Sequence, residues 1–359
     1  MWLSRYLKLK PSRQGKIALA LCQPDIKQGP HGHKGSSSID MPAPRTLLSF
    51  VCILLASYTL QAQQPESLQR TLEAIAAQHH GKVAMFAENL KTGRTVGIHP
   101  DEPVQTASVI KLTILYEAIE QVRSGKVSLA DRIVLRKADQ VPGSGVLSFF
   151  DTPVTLTLKD ALTMMITMSD NTATNLVIDH IGIASVNRRI QKLGLKNTYL
   201  YKKIFQPAEG PLPADQKQFG IGKTTPREMA KVMEKIVNCE LAEPGTSPQP
   251  QDRQLCGVML HMLRNQFYRS GIPRYLEIGY PDADAAIANK TGSLDDVRND
   301  VAAVDAKQGM LILSIFTYDN RDQIWSVDDE GDLTIAKLAR AIVAAWAPDG
   351  LSKFAPDAP

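Results

Sequence analysis

Apolar positions recur every three or four residues through the middle of the chain and every second residue near its ends. Leu68, Leu72, Ile75 and Ala76 fall on one face of a helix that Pro65-Glu66-Ser67 introduces. Val83–Glu88 and Thr95–His99 read as strands, with Gly93 as the turn residue between them. A helix is expected over Ser108–Arg123, stopped by Ser124-Gly125, and a loop region from Leu129 through Gly145. Thr157–Ser169 forms another helix, with Leu158, Leu162, Met165 and Ile166 as its buried stripe. Helices over Thr174–Ile181 and Ser185–Lys192 end at Gly182 and Gly194. Residues 199–224 show few apolar repeats and six Pro or Gly residues from Pro207 to Gly222. They read as a long loop, and so long a loop inside a compact domain is usually functional. Thr225-Pro226 then caps and opens a helix, and a further helix covers Arg253–Gln266.

From Ala285 the period becomes two. Ala285–Lys290, Asn299–Ala306 and Met310–Tyr318 read as strands, Lys307-Gln308-Gly309 as a turn, and Leu333–Trp346 as a closing helix. Strands at both ends around a helical middle predict an α+β fold. One antiparallel sheet (63–105 and 275–359) carries the terminal helices, and an all-helical domain (106–274) is inserted into it.

The N-terminus changes how charge is read. Met41-Pro42-Ala43-Pro44-Arg45 and the apolar run Thr46–Leu60, followed by Gln61-Ala62, have the pattern of a secretory signal over 41–62. The expected mature chain starts near Gln63 and is periplasmic or secreted, without stable membrane association. Residues 1–40 read as an upstream extension outside the fold. They carry seven Lys/Arg against Asp25 and Asp40, so the formal +4 of the whole chain gives a misleading picture of its body. A nearly neutral body offers no electrostatic reason to bind nucleic acid. Of four cysteines, Cys239 and Cys256 fall in the mature chain, on either side of a Pro/Gly/Ser-rich stretch. An oxidising compartment would let them bridge that loop; the alternative is two separate thiols. Neither sits in a Cys/His pattern, so no metal is expected.

Three short motifs carry the chemistry. Ser108 and Lys111 stand at i and i+3, on one face of a helical turn, where free backbone N–H groups can meet an oxyanion. Ser169-Asp170-Asn171 and Lys290-Thr291-Gly292-Ser293 follow in that order. A second Lys-Thr-Gly, at 91–93, comes too early and lies in a hairpin turn. Ser-x-x-Lys, Ser-Asp-Asn and Lys-Thr-Gly in this order form the motif set of penicillin-recognising serine enzymes. From about Gln64 to Trp346 the chain resembles the class A β-lactamases.

The resemblance implies a sheet with an inserted helical domain, the active site in the seam, and no cofactor. Ser108 would form an acyl-enzyme, with Lys111 accepting or relaying its proton. Ser169 and Lys290 would return a proton to the leaving nitrogen. Asn171 would hold Lys111 and the substrate's side-chain amide, while Lys290, Thr291 and Ser293 receive a carboxylate. Backbone N–H groups of Ser108 and Ser293 would make the oxyanion hole. Gly292 would let the strand approach the ligand. Arg298 is either a second cation for that carboxylate or a surface arginine, and Asp170 reads best as a turn carboxylate.

The long loop departs from the family pattern of Glu-x-x-Leu-Asn, whose glutamate activates the deacylating water. Counting back from Thr225 puts Glu209 at that glutamate, with Leu212 in register and Pro213 in place of the asparagine. Counting forward from Thr198 puts Ile204 there instead. The leading expectation is a monomeric hydrolase acting on a small β-lactam. A related peptidase or amidase acting on peptidoglycan peptides or other esters and amides, and a penicillin-binding sensor that stays acylated, remain as alternatives.

Overall fold

The computed structural model describes residues 67–354 apart from 209, 242–248 and 282. The expected signal over 41–62, the extension before it and Glu209 therefore lie outside the described residues. Helix α1 (67–76) leads into strands β1 (Lys82–Asn89) and β2 (Arg94–Ile98). After the short β3 (Val104–Gln105), a 3₁₀ turn over Ala107–Ile110 runs into α2 (Lys111–Arg123). Then come β4 (Arg132–Leu135), β5 (Val154–Thr157), α3 (Leu158–Thr167), α4 (Asn171–Ile181) and α5 (Ile183–Lys192). The next stretch holds β6 (Tyr199–Leu200), α6 (Gln216–Phe219) and β7 (Gly222–Thr224), followed by α7 (Pro226–Val237) and α8 (Asp252–Arg264). Two short helices, α9 (Pro273–Gly279) and α10 (Ala283–Ala286), precede β8 (Ile287–Leu294), β9 (Val297–Val304), β10 (Leu311–Tyr318) and α11 (Glu330–Trp346).

The main sheet has five antiparallel strands in the order β2-β1-β10-β9-β8. Its strands are apolar on both faces because both are covered. Val83, Met85 and Ala87 of β1 pack with Leu313 and Ile315 of β10 against α1 and α11, through Leu72, Leu338 and Ile342. The alternate residues Ala84, Phe86, Ile312 and Phe316 face the other way, into a larger core that includes Met229 and Met233 of α7 and Leu112 and Leu115 of α2. The two-residue side-chain period thus sorts each strand between two cores. Lys290 and Gly292 share the parity of Ala288, which belongs to the core holding α2.

Helix starts follow local chemistry. Thr157 caps α3 by accepting from Asp160 N, and Thr225 caps α7 by accepting from Glu228 N with Pro226 behind it. Asp170 and Asp329 do the same for α4 and α11. Three segments differ from their sequence reading. β4 lies in the expected loop after Leu129 and pairs with β5; each strand is four residues long, too short for periodicity to register. Residues 199–224 are not structureless, because β6 and β7 join β3 in a small three-stranded sheet. β8 runs on through Leu294 instead of stopping at Lys290, its register with β9 carrying Thr291 opposite Asp300 and Ser293 opposite Arg298. The structure joins Cys239 to Cys256 by a disulfide. Among the described residues no helix is long and apolar enough to cross a membrane.

Candidate active site

Ser108 sits in the 3₁₀ turn, one residue after Ala107, whose φ of 44° lies in the left-handed region. For a residue with a Cβ that conformation costs about 1–3 kcal/mol and persists only where surrounding contacts impose it. They do so here. Val109 N donates to Thr106 O at 3.1 Å, and Thr106 Oγ1 donates to Gly222 O at 3.2 Å. From β9, Asn299 Nδ2 donates to Gln105 O at 2.8 Å and Thr106 O at 3.1 Å. β8 passes so near that a Cβ on Gly292 would stand 2.8 Å from the backbone nitrogens of both Ser108 and Val109. The close approach that this glycine permits is therefore to the nucleophile turn itself. It sets Ser293 beside Ser108, the two residues whose N–H groups the sequence singled out.

Two lysines meet one hydroxyl. Lys111 is fully buried, and its Nζ donates to Ser169 O at 2.7 Å, Ser169 Oγ at 3.1 Å and Asn171 Oδ1 at 3.1 Å. Lys290, equally buried, donates to the same Ser169 Oγ at 3.0 Å and to Thr291 O at 2.7 Å. Burial, and next the Lys290 charge, push the Lys111 ammonium well below the ordinary lysine pKa, while Asp170 opposes them. Burial lowers Lys290 to about 7 against the pull of Asp300. Asp300 is itself raised to about 6 by burial, although it accepts from Ile272 N and Asn289 Nδ2. Ser169 holds its bridging place with a left-handed φ of 54°. An amine able to lose its charge, and a hydroxyl linking it to a second amine, form a path along which protons can move.

The Ser-Asp-Asn segment also builds the wall opposite β8. Asp170 Oδ2 accepts from Val146 N and Leu147 N at 2.7 and 2.8 Å, and Oδ1 from Ala173 N at 2.8 Å. It is a structural carboxylate that folds the 142–147 loop over the site. Asn171 Nδ2 donates to Pro142 O at 3.1 Å. Four residues on, Asn175 grips the long loop: its Nδ2 donates to Ile204 O and its Oδ1 accepts from Ile204 N, both at 2.9 Å. The position held against the site is thus Ile204. With Lys202 and Phe205 it lines a cleft of about 620 Å³ that also touches Ser108 and Asn171. Sequence reasoning passed over Asn175, although its i+4 spacing from Asn171 puts both on one helix face.

A second cleft, about 480 Å³, adjoins the first through Ser108, Ser293 and Trp325 and includes Ser169 and Thr291. Arg298 lines it and is 2% exposed, so it is not a surface arginine. Its guanidinium donates to the carbonyls of Leu294, Val297 and Ile324, pairs with Asp329 at 3.3 Å, and lies 4.9 Å from the Trp325 ring centre. Ser270, Trp325 and Asp332 are further lining residues that no sequence motif marks, since each stands in a loop or at a helix start. Burial raises the Asp332 carboxyl to about 7, although Ser270 donates to it. Among the described residues, no three His, Cys, Asp or Glu side chains are grouped to hold a metal ion.

Comparison with known proteins agrees with this fold. The family model described as "Beta-lactamase enzyme family" matches residues 67–346. The crystal structure of a β-lactamase from Sphaerobacter thermophilus is 30% identical, covers 76% of this chain and 95% of that one, and superposes with a TM-score of 0.65. A mutant of PBP-A, described as an acyl-enzyme complex with penicillin G, is 25% identical over 78% of this chain and 96% of its own, with a TM-score of 0.63. The β-lactamase regulatory protein BlaB of Streptomyces cacaoi is 29% identical over 41% of this chain, which spans only 47% of that relative.

Proposed function

The chain belongs to the β-lactamase enzyme family, and from that premise we propose that it is a serine hydrolase opening β-lactam rings through an acyl-enzyme on Ser108. The observation that carries the reading is the Ser169 hydroxyl, held between two buried lysines of depressed pKa. Neutral Lys111 takes the Ser108 proton as Oγ attacks the ring carbonyl. The developing oxyanion is met by the N–H groups of Ser108 and Ser293, a donor pair fixed before reaction by the close approach of β8. As the ring C–N bond breaks, the proton passes through Ser169 to the leaving nitrogen. Lys290, Thr291 and Ser293 receive the carboxylate on the leaving side. Arg298 serves that wall indirectly: its charge is matched by Asp329 and its donors hold Ile324 beside Trp325. The activity belongs outside the cytoplasm, in line with the signal pattern over 41–62 and the Cys239–Cys256 bridge.

One observation favours a second reading for the later step. The loop residue that Asn175 clamps beside the site is Ile204, which has no group to activate water. A relative that acylates readily but releases β-lactams slowly, with a peptide amide as its own substrate, fits that position. Incubating the purified protein with penicillin G, and following product release and intact mass together, separates the two. Fast turnover with unmodified protein supports the β-lactamase reading; a persistent adduct on Ser108 supports the peptidase reading. Absence of both product and adduct would overturn the proposal.

A further inference from the structure

Two aromatic rings stand exposed at the mouth of the cleft lined by Ser108, Asn171 and Ile204. Phe205 is 64% exposed and Trp325 67%, and both line that cleft. Single exposed apolar side chains are ordinary. These two are unusual because each is held in place. Phe205 follows the clamped Ile204, adopts a left-handed φ of 53°, and lies so near the 142–147 loop that a Cβ on Gly143 would be 3.4 Å from its Cε2. Trp325 donates its indole N–H to Asp295 at 3.0 Å and rests over the Arg298 guanidinium. An aromatic side chain fixed at edge or face while left open to solvent offers its remaining surface to a ligand without further ordering cost.

The direction of the substrate says which part reaches them. With the leaving-side carboxylate on Lys290, Thr291 and Ser293, the acyl part must extend from Ser108 the other way. That leads toward Ile204, Phe205 and Phe219, with Trp325 standing where this cleft meets the one lined by Thr291. We infer that Phe205 and Trp325 select substrates whose acyl group carries a flat apolar substituent. The inference rests on the proposed acylation of Ser108 and adds to it the chemical class of the acyl side.

The test compares penicillin G, which bears a phenylacetyl group, with 6-aminopenicillanic acid, the same nucleus without it. Rates of Ser108 acylation are read as kcat/KM for product release, or by intact mass where an adduct persists, for the parent, Phe205→Ala, Trp325→Ala and Trp325→Phe. The parent should prefer penicillin G. Each alanine variant should lower that preference about three- to tenfold, the size of one aromatic contact, and Trp325→Phe should restore most of it. Because the ratio is taken within one protein, a general loss of reactivity cancels. A parent without preference, or alanine variants that slow both compounds equally, would overturn the inference while leaving acylation of Ser108 intact. If the parent neither hydrolyses either compound nor is labelled by it, the proposed function falls, and this inference with it.

Discussion

Replacing Gly292 by alanine adds one methyl group at the point where β8 meets the nucleophile turn. The new carbon would stand 2.8 Å from Ser108 N, 2.8 Å from Val109 N and 2.9 Å from Thr106 O. Ordinary contact begins at 3.4 Å, so strand and turn must separate by about 0.6 Å. All three atoms are backbone, and the turn is bolted to β9 through Asn299, so no flexible side chain can yield. Overpacking of this kind costs about 1–3 kcal/mol of stability. The larger effect falls on the oxyanion site, because the displaced atoms carry its two donors. A misplacement near 1 Å costs about 10²-fold in rate, so acylation should fall by about one to two orders of magnitude. Stopped-flow acylation by a chromogenic cephalosporin measures the rate, and a thermal melt confirms that the variant is folded. A folded Gly292→Ala protein acylated within threefold of the parent would refute the reasoning.

Ser108→Ala should abolish covalent labelling by penicillin G, and Lys111→Ala should slow it by about 10²–10⁴-fold, both read by intact mass. The Lys290 ammonium exists below its pKa of about 7, so acylation efficiency should decline as pH rises through that value. Asp300→Asn removes the charge that raises this pKa and should move the decline to lower pH; a profile flat to pH 9 in the parent would refute a functional Lys290 that titrates near 7. Reducing the Cys239–Cys256 bridge should lower stability by about 3 kcal/mol in denaturant titration while leaving the acylation rate unchanged, since neither cysteine lines a cleft at Ser108.

The main strands and helices were legible because each buries one or both faces over several turns or pleats. Met85 and Phe86 show the alternation, and Leu158, Leu162 and Met165 the helical stripe. The motif serines and lysines were legible because acyl transfer restricts residue type and order. What escaped was whatever depends on contacts distant in sequence. Counting along the loop gave two candidates, Glu209 and Ile204; Glu209 lies outside the described residues, and that Ile204 is held at the site depends on the Asn175 side chain. Arg298 could be read as a surface residue or a ligand for a carboxylate, since the carbonyl of Ile324 and the carboxylate of Asp329 that occupy it lie more than 25 residues away. The two-residue strands β3 and β6 carry no period at all; they exist because β7 offers each an edge.

The hydrogen bond from Asn299 to Gln105 joins residues 194 positions apart. It bears on when the protein becomes reactive as well as on how. A nascent or partly folded chain already contains Ser108 and Lys111, but nothing yet imposes the backbone of Ala107 or crowds the lysine with a second ammonium. The serine in such a chain is an ordinary alcohol and the lysine an ordinary cation. Reactivity arrives only when β8 and β9, among the last strands to be made, dock beside β10. The order of synthesis thus acts as a safety catch, keeping the nucleophile inert until the chain has folded.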